Sequence, residues 1–187
     1  MMNSNSRADL ATPVSEVDHV LGALHAPVTI VEYGDFESAA CKQAAAAVKQ
    51  LLEQFDGRVR FAYRHFPLES EHPHALHAAE AAEAASAQGK FWEMHDLLFA
   101  HQTHLDSKHL HGYAEQLQLD LPRFKAEMGD EIYLQRIREH IAGAKLSHVK
   151  SEPAFFINGM IHDVSYGLHT LMDGVVAALQ QTRTASA

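Results

Sequence analysis

Between residues 28 and 64 the sequence spells a strand, a helix and a second strand, and no other feature constrains the fold as much. Val28-Thr29-Ile30-Val31-Glu32-Tyr33 is an apolar run of strand length, the pattern of a buried strand. An alanine-rich stretch follows, with Val48, Leu51, Leu52 and Phe55 on one face of a helix predicted over residues 39–55. Asp56-Gly57 stops that helix. Arg58-Val59-Arg60-Phe61-Ala62-Tyr63-Arg64 then alternates polar and apolar, the period of a half-buried strand. Two strands separated by a long helix do not form a hairpin. The crossover makes them parallel neighbours, and the chain belongs to the α/β class.

Helical signal dominates from Pro73 to about Val149. Pro73 suits a first helical position, where its missing N–H goes unmissed. Gly89 interrupts the segment, and Phe91-Trp92 with Leu97-Leu98-Phe99 form the apolar face of a second helix. Asp106 and Asp120 are placed to cap two more, and Tyr133, Ile137, Ile141 and Ala144 repeat at helical spacing in a last one. Phe155-Phe156-Ile157 and Met160-Ile161 flank Asn158-Gly159, a strong hairpin signal. Leu168 to Leu179 reads as a closing amphipathic helix. Residues 1–12 are small and polar and are expected to form a disordered tail, leaving 13–187 as a single domain.

At 187 residues one domain with a sizeable core is expected. A formal net charge of -9 argues against a nucleic-acid footprint and against a basic membrane patch. No apolar run approaches the ~18 residues of a membrane span. The N-terminus lacks the apolar core of a signal peptide, so a cytoplasmic location is the expectation. Fifteen histidines include His72, His74 and His77, then His101, His104, His109 and His111. Neutral imidazoles bind zinc, yet the only carboxylate at ligand-like spacing in the second set is Asp106. These are expected to be surface histidines, with no metal site.

Ser38-Ala39-Ala40-Cys41 lies where the first strand feeds the helix. A C-x-x-C at such a junction is the thioredoxin-like redox signature, its first thiol activated by the helix N-terminus. Here a hydroxyl replaces that thiol, and Cys41 is the only cysteine in the chain. An intramolecular dithiol/disulfide cycle is therefore closed to it.

The segment Asp35-Phe36-Glu37-Ser38-Ala39-Ala40-Cys41-Lys42 resembles the D-F-x-C-P-x-C segment of DsbA-family thiol-disulfide oxidoreductases. Further resemblances follow in order: Asp18 to Gly22 with Ala26-Pro27-Val28, His65-Phe66-Pro67-Leu68, His72-Pro73-His74-Ala75, Gly89-Lys90-Phe91-Trp92, and Pro153 to Gly159. Together they span roughly Val14 to Leu179. The resemblance implies a thioredoxin-like fold with an inserted helical domain, the core at about 13–68 and 150–182 and the insertion at about 69–149. The departures are Ser38 for cysteine, Ala39 for proline, and Glu152 where the family places a small or hydroxyl residue before a cis-proline.

Each candidate residue has a structural and a functional reading. Ser38 caps the helix, or it offers a hydroxyl donor to a bound thiolate, as in the similarly folded kappa-class glutathione transferases. Cys41 is a small buried hydrophobe, or a monothiol made more accessible by the small side chains of Ser38, Ala39 and Ala40. The resemblance implies a cis Glu152–Pro153 peptide bordering a substrate groove with Ala39 and Ala40. A Glu152 carboxylate beside the sulfur would disfavour its thiolate. The expected function is that of a DsbA-like family protein binding a peptide or small thiol in this groove, with at most monothiol chemistry through Cys41. It needs no cofactor, though glutathione is a candidate ligand or substrate. The alternatives are a serine-based glutathione-binding transferase and a purely non-catalytic binding module.

Overall fold

The computed structural model describes residues 9–185. Its elements run β1 (His19–Gly22), β2 (Val28–Gly34), α1 (Ala39–Gln54), β3 (Val59–His65), α2 (Ala75–Ser86), α3 (Phe91–Ala100), α4 (Ser107–Gln116), α5 (Leu121–Gly129), α6 (Leu134–Leu146), β4 (Ala154–Ile157), β5 (Met160–His162) and α7 (His169–Ala185). The five strands form one sheet in the order β1-β3-β2-β4-β5. β2 and β3 are parallel across α1, and β4 returns antiparallel on the other side of β2. This is a thioredoxin-like fold with helices α2 to α6 inserted between its two halves.

Alternation along β2 divides the protein into two packed layers. Val28 and Ile30 share a face with Val59, Phe61 and Tyr63 of β3, and this face receives Cys41, Ala44, Val48 and Leu51 of α1. That 3-4-3 spacing is one helical stripe. Val31, Tyr33, Ala62 and Phe156 point the other way, against Ala144, Val149 and Leu10. In the insertion, α2 is buried almost all round, and its small side chains, Ala78, Ala81, Ala82 and Ala85 among them, let neighbouring helices approach closely.

Several local signals hold. Asp106 accepts from the amides of Lys108 and His109, and Asp120 from that of Arg123, each capping its helix. Asn158 and Gly159 both take positive φ, at 49° and 82°, as a two-residue hairpin turn requires.

Other expectations are corrected. The sequence assigns no strand to residues 19–22, yet β1 pairs antiparallel with β3 as an edge strand. α2 starts at Ala75, two residues beyond Pro73, which lies in the preceding turn. α7 runs on to Ala185, past Leu179. The expected tail is too long at its inner end: residues 9–12 are held, because Leu10 is buried and its amide donates to Gly159 while Ala11 donates to Ser147 Oγ. Residues 1–8 lie outside the described residues. No helix among the described residues is long and apolar enough to cross a membrane.

Candidate functional site

The site begins where β2 ends. A Cβ at Gly34 would stand 2.7 Å from the Tyr63 ring, so this last strand residue has room for glycine alone. Asp35 then turns its buried carboxylate back into the turn. Oδ1 accepts from the Glu37 amide at 2.8 Å, and Oδ2 accepts from the Leu68 amide at 2.8 Å and from His72 Nδ1 at 2.9 Å. Gln102, just beyond α3, donates from Nε2 to the carbonyls of Phe36 (2.8 Å) and Ser38 (2.7 Å). The strand-to-helix corner is thus held from both sides by the insertion.

Ser38 caps α1, its Oγ accepting from the Cys41 amide at 3.3 Å. Ala39 and Ala40 face solvent at the helix start. The Glu152–Pro153 peptide is cis, and pairing of Ala154 with Tyr33 lays that loop beside the corner. The Glu152 side chain is largely buried and lies 3.9 Å from His72 Nδ1, with Ser38 working to lower its carboxyl pKa. Burial, and then the charge of Asp35, raise the Glu152 carboxyl above its ordinary range. Burial works against a charge on His72, but its hydrogen bond and attraction to Asp35 prevail and raise its pKa. Six residues named from the sequence therefore meet here: Ser38, Ala39, Ala40, Cys41, Glu152 and Pro153.

Cys41 follows the first of its two readings, a small buried residue, and not the accessible monothiol. Its sulfur is fully buried despite the small side chains in front of it, accepting from the Asp35 amide at 3.4 Å. Its thiol is pushed far above the ordinary range, first by burial, then by Glu32, with Glu152 the least of the causes. Among the acidic groups, Glu32 therefore opposes the Cys41 thiolate more than Glu152 does.

Glu32 was missed. It sits on the α1 face of β2 beneath Cys41, is buried, and its Oε1 has no hydrogen-bond partner. Burial pushes its carboxyl up to about 8, so it is protonated at neutral pH. The signal lay in its parity: Glu32 shares the even positions of β2 with Val28 and Ile30, which face the core. A second missed group is remote from the corner. Glu83 Oε1 on α2 accepts from His19 Nε2 (2.8 Å), His65 Nε2 (2.9 Å) and Arg136 Nε (2.9 Å). Burial opposes the Glu83 charge, but the bonds from His19 and His65 outweigh it and hold the carboxyl well below its usual range.

The clustered histidines separate. His74 binds Glu37, His101 stacks on Tyr113, and His109 pairs with Asp106 at 2.6 Å. Among the described residues, the groups whose ligand atoms lie close enough to hold a metal are His19/His65/Glu83 and Asp35/His72/Glu152.

A family model described as Thioredoxin matches residues 14–173. The chain is similar to alpha-DsbA1 of Wolbachia pipientis, with a TM-score of 0.82 over 97% of this chain and all of that one at 18% identity. It is also similar to a thioredoxin-like oxidoreductase from Silicibacter pomeroyi DSS-3, with a TM-score of 0.75 and 26% identity over 89% of this chain and 92% of that one. Among curated sequences it is 51% identical, over 94% of its length, to Na(+)/H(+) antiporter NhaA 1 of Salinispora arenicola (strain CNS-205). The matched region is 27% of that relative, so the chain spans about a quarter of the length of such proteins.

Proposed function

The chain belongs to the thioredoxin family and has its DsbA-like architecture, and on that premise we propose that it binds an extended peptide or small thiol at the cis-proline corner without dithiol/disulfide cycling. The observation that carries this reading is the corner itself. Exposed Ala39 and Ala40 at a helix N-terminus lie beside the Glu152–Pro153 loop, above a lone sulfur that solvent does not reach. The N-terminal helix end favours electron-rich groups, while exchange needs a thiolate and a second thiol. Cys41 is held as a thiol, and the sequence contains no second cysteine.

Glutathione transfer through Ser38 is less well supported. The Ser38 hydroxyl already caps α1 and adjoins the Glu152 carboxylate, which would repel an incoming thiolate. The antiporter relatives suggest one context. In them a fold of this kind accounts for about a quarter of the chain, and the described residues here hold no helix able to cross a membrane. We read it as a binding module in proteins whose ion transport resides elsewhere.

Two measurements test the proposal. An unfolded cysteine-containing peptide should shift the amide resonances of Ala39, Ala40 and Ala154, and the protein should fail to catalyse insulin reduction by dithiothreitol. Catalytic turnover, or shifts confined to another surface, would refute it.

A further inference from the structure

We propose that Asp35, His72 and Glu152 form a binding site for a divalent transition-metal ion at this same corner, independent of whether peptides bind there. Each of the three offers one ligand atom, and these atoms all lie within 4.8 Å of one another. They come from three separate segments: the β2–α1 turn, the segment before α2, and the loop before β4. One imidazole and two carboxylates suit zinc, manganese or iron(II).

The distances support this assignment. Zinc bonds of about 2.1 Å in a tetrahedral shell place ligand atoms roughly 3.4 Å apart. His72 Nδ1 is 2.9 Å from Asp35 Oδ2 and 3.9 Å from Glu152 Oε1. Each separation therefore needs to change by only about 0.5 Å, in opposite directions, which a small shift of the imidazole between the two carboxylates accomplishes. Asp35 is already oriented by the amides of Leu68 and Glu37, the kind of supporting bond that metal ligands require.

Charge supports it too. Two carboxylates converge here, and among the described residues His72 is the one cationic side chain that pairs with either. The His19/His65/Glu83 group has the same donor types, but the Arg136 guanidinium already sits on Glu83 Oε1 at 2.9 Å and supplies the cation. Among the described residues no lysine or arginine pairs with Asp35 or Glu152. The side chains of Asp35 and Glu152 are 0% and 7% exposed while that of His72 is 22% exposed, so an ion has an entry path past the imidazole.

Calorimetric titration of the full chain with zinc chloride tests the site, because histidines elsewhere give a background that variants can separate. One site is expected whose affinity falls about tenfold or more in both Glu152→Gln and His72→Asn, and does not change in His109→Asn. Should His72→Asn unfold, Glu152→Gln carries the comparison. The cobalt(II) complex should show nitrogen and oxygen ligation with no sulfur-to-metal charge-transfer band. Unchanged affinity in Glu152→Gln, no one-to-one binding, or a sulfur band that puts Cys41 in the shell would each overturn the proposal.

Discussion

Replacing Glu32 with glutamine should remove a penalty that grows with pH. The folded carboxyl has a pKa of about 8, against an ordinary value of 4.5. Between these values the unfolded chain releases a proton that the folded chain keeps, so folding takes one up and stability falls as pH rises. The contribution is fully favourable below pH 4.5, declines by about 1.4 kcal/mol per pH unit, and levels off above pH 8. The cost is roughly 3 kcal/mol at pH 7 and roughly 5 kcal/mol above pH 8. Glu32→Gln has nearly the same shape and does not titrate. Its amide enters a pocket where Oε1 has no partner, a pH-independent cost of about 1–3 kcal/mol. Urea unfolding of both proteins at pH 5, 6, 7, 8 and 9 isolates the effect, because every other titrating group cancels in the difference. The variant should gain on the wild type steadily up to about pH 8, where the difference should become flat. Parallel stability curves would show that Glu32 ionises inside the fold without penalty, and the account of the buried strand face would fail.

Ser38→Cys should form a disulfide with Cys41 on mild oxidation, read as loss of both free thiols without a dimer, since N-cap and third helical residue already share a hydrogen bond. Two persistent free thiols would mean that the corner does not present these positions to each other. Glu83→Gln should destabilise the protein by about 3 kcal/mol in urea, the low end for a broken buried pair because Arg136 keeps some exposure. A loss below about 1 kcal/mol would show that the imidazoles and guanidinium find other partners.

What the sequence made legible was local. The Ser38, Asp106 and Asp120 caps, the Asn158-Gly159 turn and the βαβ unit are all written within a few residues of where they act. Ser38 and Cys41 could be named because helix capping and the thiol count need no tertiary knowledge. Glu152 and Pro153 came from resemblance and occupy the corner that it implied. What stayed hidden depends on long-range placement. Asp35 was quoted as part of a motif, but its partners Leu68 and His72 come from beyond β3. Gln102 reaches Phe36 and Ser38 across more than sixty residues. The direction of the Cys41 shift could not be read because burial and the helix end oppose each other, and burial was visible only once β2 lay beneath α1. β1 escaped notice because four residues with one exposed edge carry too little pattern.

The Glu83 carboxylate has a consequence for how this protein can be cut. Its Oε1 accepts from His19 on β1, His65 on β3 and Arg136 on α6, so one oxygen joins two strands from the first half of the core to two helices of the insertion. Excising residues 69–149 to recover a minimal core would leave His19 and His65 facing a vacancy and would strip the corner of Gln102 as well. In this protein the insertion is part of the scaffold: the unit that can be transplanted is the whole of it, helices included.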